Sequence, residues 1–79
     1  MATVTERVEG VFRKVFSSPE LALTRAMNAH DVDAWDSITH AEMIAAIEME
    51  FEVKFKLREI TKWQNVGDML DSLAAKGIA

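Results

Sequence analysis

Val4, Val8, Val11, Phe12, Val15 and Phe16 recur at i, i+4, i+7, i+8, i+11 and i+12, while Glu6, Arg7, Glu9, Arg13 and Lys14 fill the opposite side. That period puts the apolar side chains on one stripe, so the spacing predicts an amphipathic helix over about residues 4–16. Thr3 with Glu6 three residues on reads as a capping box at its start. Ser17-Ser18-Pro19 supplies the stop, because proline disfavours helical geometry in the residue before it.

From Ser17 to Trp35 no period lasts. Leu21, Leu23, Met27, Val32 and Trp35 are irregularly spaced among Asn28, His30, Asp31 and Asp33, which predicts a long ordered loop packed across its neighbours, with one helical turn expected after Pro19. Residues 36–51 contain no glycine or proline, are rich in alanine, methionine, isoleucine and glutamate, and open on Asp36-Ser37 at a cap position, which predicts a second helix. Successive positions about 100° apart give this helix two apolar stripes. Met43, Ile44, Ile47 and Phe51 form the core side. Ile38, Ala41, Ala45 and Met49 fall roughly opposite, bordered by Glu42 and Glu48, an apolar strip left to solvent and patterned as a docking face.

Beyond it, Phe51, Val53 and Phe55 alternate with Glu52, Lys54 and Lys56 as a short extended link, and Leu57 to Ile60 is long enough for one helical turn. Asn65 and Asp68 then cap a last helix carrying Val66, Met69, Leu70, Leu73 and Ala74, closed by Lys76 and Gly77. The four aromatic Phe positions fall at core spacing, and Trp35 is expected to lid the loop against the bundle. The fold class that follows is all-α: a small antiparallel bundle of three main helices plus one short helix, with a long loop between the first two.

Composition narrows this further. Seventy-nine residues suffice for a single domain over 1–79. A chain of this size buries only about 60% of its unfolded surface, which favours helices on short links. There is no cysteine, so a disulfide, a thiolate metal site and a cysteine nucleophile are excluded, and any thiol chemistry must be imported. The start lacks a basic region followed by an apolar one, and no run approaches about 18 apolar residues, so neither export signal nor membrane span is expected and the chain is placed in the cytoplasm. A net charge of −4 and a pI near 5.0 argue against nucleic acid and for partners with basic surfaces. Nothing in the pattern calls for an obligate oligomer, so a monomer is expected.

Asp36-Ser37-Ile38 is the tripeptide that bears chemistry. A serine hydroxyl at a helix start lies beside unpaired backbone N–H groups and the positive end of the helix dipole, where a phosphate on that oxygen is stabilised. The plain alternative is an ordinary N-cap. Ser37 and His40 at i and i+3 raise a hydrolase pairing, but no strand-turn-helix nucleophile elbow or oxyanion loop accompanies them. A calcium loop counted from Asp31 places Asp33, Ser37, Thr39 and Glu42 at positions 3, 7, 9 and 12. It has Trp35 where an oxygen ligand belongs and Asp36 where the turn needs glycine. A helical adaptor without any covalent group fits the stripes as well as a modified protein does.

The run Trp35-Asp36-Ser37-Ile38-Thr39-His40-Ala41-Glu42-Met43-Ile44-Ala45-Ala46-Ile47-Glu48-Met49-Glu50-Phe51, preceded by the long loop and followed by a stub and a last helix, resembles the acyl carrier protein family. The resemblance covers essentially the whole chain. It implies that Ser37 is esterified by 4'-phosphopantetheine from coenzyme A in a magnesium-dependent reaction run by a separate phosphopantetheinyl transferase, with Asp36 beside it in the modification motif. It implies that carboxylic acids ride as thioesters on the arm's thiol and that carriage needs no catalysis by the protein itself; with the calcium loop lacking its strictest positions, no metal site is expected. It also implies that Ile38, Glu42, Ala45 and Glu48 face acyl-loading and acyl-processing enzymes with basic docking surfaces, the same face to which the apolar strip adds Ala41 and Met49. Carriers of fatty acid synthesis commonly have glycine two residues before the modified serine. Trp35 stands there, and the stretch Lys54 to Lys62 is basic rather than acidic, so the chain is more similar to stand-alone carriers of specialised pathways.

Overall fold

The structure, a computed structural model, describes residues 3–78. Helix α1 spans Val4–Val15, α2 Ser37–Phe51, α3 Leu57–Ile60 and α4 Val66–Ala75, and one 3₁₀ turn lies at Ala29–Asp31. The all-helical bundle expected from the pattern is the observed fold, with no strand among the described residues.

The start of α1 is fixed by the expected box. The Thr3 hydroxyl accepts from the Glu6 N–H at 3.1 Å, and the Glu6 carboxylate accepts from the Thr3 N–H at 3.3 Å. Val8, Val11 and Phe12 are buried from its inner face, where they meet Met43, Ile47 and Phe51 of α2 and Val66, Met69 and Leu73 of α4 in one core. Arg7 ties α1 to the end of α2: its Nε donates to Glu50 Oε2 at 2.8 Å, one Nη to the Glu50 carbonyl at 2.8 Å, and its guanidinium lies 4.4 Å over the Phe51 ring.

The segment between α1 and α2 is a strap rather than a slack loop. Leu21 is buried in the core, and the carbonyl of Leu21 accepts from Arg13 Nε while the N–H of Leu23 donates to Glu9, each at 2.8 Å. Farther on, the N–H groups of Val66 and Gly67 donate to the carbonyls of Met27 and Arg25, each at 2.8 Å. These are first-turn donors of α4 that have no partner within the helix, so the strap and the helix satisfy each other. Gly67 permits that approach. A Cβ there would sit 3.1 Å from the Arg25 carbonyl oxygen.

The helical turn expected after Pro19 is found instead at Ala29–Asp31. The reason is capping: Asn28 accepts from the His30 N–H at 2.8 Å and Asp31 accepts from the Asn28 N–H at 3.0 Å. After Pro19 the chain makes a single turn, Leu21 N–H to the Ser18 carbonyl, and is then drawn inward by the Leu21 side chain.

At the far end of α2, Glu52 adopts left-handed geometry at φ 54° and the Val53 N–H returns to the Glu48 carbonyl. Val53 and Phe55 then turn inward while Lys54 and Lys56 face out, the alternation expected of an extended link. Phe55 meets Trp63 edge to face at 4.9 Å, and Trp63 Nε1 donates to Ser72 Oγ at 2.7 Å, which fixes the link to α4.

Candidate functional site

Asp36 caps α2. One carboxylate oxygen accepts from the N–H groups of Ile38 at 3.0 Å and Thr39 at 2.9 Å, and Thr39 Oγ1 accepts from the Asp36 N–H at 2.8 Å and donates to the Ala34 carbonyl at 2.7 Å. The Thr39 N–H, helped by the Thr39 hydroxyl and the Ile38 N–H, holds the Asp36 carboxyl below its ordinary range in spite of some desolvation. The cap thus leaves the next residue, Ser37, as the first of a 15-residue helix, with its side chain exposed. A primary hydroxyl in that place is open to an incoming reagent and sits at the positive end of the helix dipole, which favours an oxygen bearing phosphate.

One turn into α2 lies His40, the other polar residue singled out near the start. Its Nδ1 accepts from Trp35 Nε1 at 2.9 Å, and the two rings stack at 6.0 Å. Accepting at Nδ1 requires that atom to be unprotonated, so the neutral ring carries its proton on Nε2. Burial pushes the His40 pKa down, which favours the same neutral form. Trp35 in turn stands edge to face on Phe12 at 5.3 Å, the lid role expected of it. His40 is therefore committed to Trp35 and not to Ser37, which removes the hydrolase pairing. Beneath this pair a cavity of about 130 Å³ is lined by Trp35, His40, Met43, Trp63, Val66 and Met69, with Asn28, Asn65 and Gln64 at its polar side.

The strip on the outer side of α2 is present as expected in most of its length. Ile38 is 70% and Met49 81% exposed, and Ala41, Glu42 and Ala45 are exposed between them. Glu48 differs: it is half-buried, and its carboxylate accepts from the Phe55 N–H at 2.8 Å. It borders the strip while holding the link that follows α2.

The calcium loop does not form. Ser37 and Thr39, its positions 7 and 9, already belong to α2, and the Asp36 and Thr39 side chains are committed to the cap. Among the described residues no cluster of three histidine or carboxylate side chains is placed to hold a metal ion. No described helix is long and apolar enough to cross a membrane. The Trp35–His40 bond and the cavity below it were not anticipated. The signal was a donor-only indole five residues from an imidazole across a helix start, a spacing that fits a cap-bridging pair only once the helix start is known.

Residues 6–73 match the family described as phosphopantetheine attachment site. The fold is similar to that of a holo acyl carrier protein from Geobacter metallireducens solved by solution NMR. The likeness has a TM-score of 0.86 and 39% identity, over 91% of this chain and 83% of that one. Among curated proteins none matches. With a helix-opening serine exposed behind an aspartate cap, and a family match running from α1 into α4, the chain belongs to the family of proteins that carry a phosphopantetheine attachment site.

Proposed function

We propose that this protein is a stand-alone acyl carrier protein whose Ser37 is the attachment point for 4'-phosphopantetheine. The observation that carries the reading is the exposed Ser37 hydroxyl at the first position of α2, inside the span matched by the family. The residues present fit the group: the hydroxyl is accessible, the helix end favours phosphate, and Asp36 keeps the first turn in register through its two N–H contacts. In the modification, Ser37 Oγ gives up its proton and bonds to the phosphorus that carries the pantetheine portion of coenzyme A, and 3',5'-ADP leaves. A magnesium-dependent phosphopantetheinyl transferase supplies the catalysis. Once attached, the arm contributes the thiol that the cysteine-free chain lacks, on which carboxylic acids are held as thioesters.

The protein's own residues then present rather than catalyse. Ile38, Ala41, Ala45 and Met49 offer apolar contact, and Glu42, with Glu48 at the border, offers carboxylates to acyl-loading and acyl-processing enzymes with basic surfaces. Such charges chiefly steer encounter and orientation. The working form is a monomeric single domain in the cytoplasm.

The test is intact-protein mass spectrometry after incubation with coenzyme A, magnesium and a broad-specificity phosphopantetheinyl transferase, followed by peptide mapping. One phosphopantetheinyl addition on Ser37 is expected, and Ser37→Ala is expected to melt like the parent and stay unmodified. Addition to Ser37→Ala would overturn the site. No addition to the parent with several transferases would overturn the carrier reading.

A further inference from the structure

Four of the nine lysine and arginine side chains are paired at home. Arg7, Arg13, Arg25 and Lys76 sit in ion pairs with Glu50, Glu9, Asp71 and Glu59. Among the described residues the unpaired remainder is Lys14 and four residues crowded into nine positions: Lys54, Lys56, Arg58 and Lys62. All four are exposed, and Arg58 and Lys62 line one shallow pocket. Lys54 and Lys56 point outward because Val53 and Phe55 of the same extended link turn into the core. On α3 and the turn after it, Leu57, Arg58, Thr61 and Lys62 are exposed while Glu59 and Ile60 face inward, as the helical spacing i, i+1, i+4, i+5 requires.

Two of the nearby carboxylates are ion-paired elsewhere, while Glu52, two residues before Lys54, and Asp68, which lines one pocket with Arg58 and Lys62, stand without an ion pair among the described residues. Glu59 is held by Lys76 at 3.1 Å, Asp71 by Arg25 at 2.9 Å, and Asp68 accepts from the Gln64 N–H at 2.8 Å. Amid the four free cations Leu57 is 76% exposed, one of the few large apolar side chains that the fold leaves in water. An apolar anchor ringed by unpaired charge is the composition of a protein contact, with a desolvated centre and a charged rim.

The sign of the charge selects the partner. Around the start of α2 the exposed charged side chains are Asp31, Asp33, Asp36 and Glu42, so this region and the α3 region are opposite in charge. A basic surface that suits the α2 side is repelled by the α3 side. An anionic bilayer or a nucleic acid is an extended array of negative charge that would also meet Asp68, Asp71 and the overall charge of −4, and one exposed leucine on a four-residue helix gives a bilayer little to hold. A protein can place a few carboxylates around a single pocket.

We propose that Leu57 with Lys54, Lys56, Arg58 and Lys62 forms a second docking surface, separate from the outer face of α2, for a protein partner that presents carboxylates around an apolar pocket. The surface makes no use of Ser37 and stands whether or not that residue is modified.

The probe is a synthetic amphipathic helical peptide with leucines on one face flanked by glutamates, titrated into the isotopically labelled full chain and followed by amide shifts. Shifts are expected to concentrate at residues 54–63 and to shrink as salt rises. Lys56→Glu/Arg58→Glu/Lys62→Glu should weaken binding about tenfold or more, from the loss and reversal of three surface charges. Leu57→Ser should weaken binding and keep its salt dependence. Melting curves matching the parent show that the variants are folded, and Ser37→Ala should bind like the parent, which separates this surface from the attachment site. Four outcomes would overturn the proposal: no salt-sensitive shifts at 54–63, equal binding by the same peptide with lysine for glutamate, shifts on 54–63 driven by phosphatidylserine vesicles but not by the peptide, or concentration-dependent shifts there from self-association.

Discussion

Helices α1 and α2 lie against each other and share a core, yet their outward polar residues are used in different ways. On α1, Arg7 holds Glu50 and covers Phe51, Glu9 takes the Leu23 N–H, and Arg13 donates to the Leu21 carbonyl. The charged side of that helix keeps α2 and the strap in place. On α2 the inward residues Met43, Ile47 and Phe51 are buried, but Ile38, Ala41, Glu42, Ala45 and Met49 are exposed and hold no other part of the fold. A helix apolar on both sides is ordinarily buried on both. Here one side is left free, so a change there costs the fold little.

Paired substitutions put the largest strain on this contrast. Phe12→Ala removes a fully buried ring from α1 and should cost about 3–5 kcal/mol in urea unfolding, whereas Met49→Ala should stay within about 0.5 kcal/mol of the parent. A comparable cost at both positions would end the distinction. A smaller effect separates the glutamates. Glu9→Ala leaves the half-buried Leu23 N–H without its charged acceptor and should cost about 1–3 kcal/mol, while Glu42→Ala should leave the urea midpoint where it was.

The smallest effect is a pH slope from the inner side of α2. Burial holds the folded-state pKa of His40 below its ordinary 6.5. Between the two values the unfolded chain binds a proton that the folded chain refuses, so stability falls as pH drops through about 6.5 and levels off below the folded value. Above 6.5 both states are neutral and the group contributes no slope. His40→Gln should flatten the wild-type profile of melting temperature between about pH 7 and pH 5. Identical profiles for the two proteins would show that the imidazole carries no linkage.

Local chemistry was readable in the sequence wherever cause and effect lie within a turn of each other. The α1 stripe, the Thr3 and Asn65 caps, a cap at Asp36-Ser37, which the structure assigns to Asp36, and the two-sided pattern of α2 all appear in the structure. The turn expected after Pro19 was misplaced because Asn28 and Asp31 form a reciprocal cap that outweighs the helix-starting tendency of proline. Glu48 was read as part of a solvent-facing border. Its half-burial follows from the path of the link, where the Phe55 N–H arrives at its carboxylate. The Trp35–His40 bond and the contact of Gly67 with Arg25 depend on where distant segments meet, and no periodicity encodes that.

The two backbone bonds from Val66 and Gly67 to the strap also order events in time. Helical turns form from neighbours in sequence within about a microsecond, but these bonds join carbonyls and amides about forty residues apart and must wait for α4 to reach the strap. Fixing the strap is therefore a late event in folding. Its opening, in the native protein, is reported by solvent exchange at two amides, those of Val66 and Gly67, which serve as a built-in clock for how long the strap stays shut.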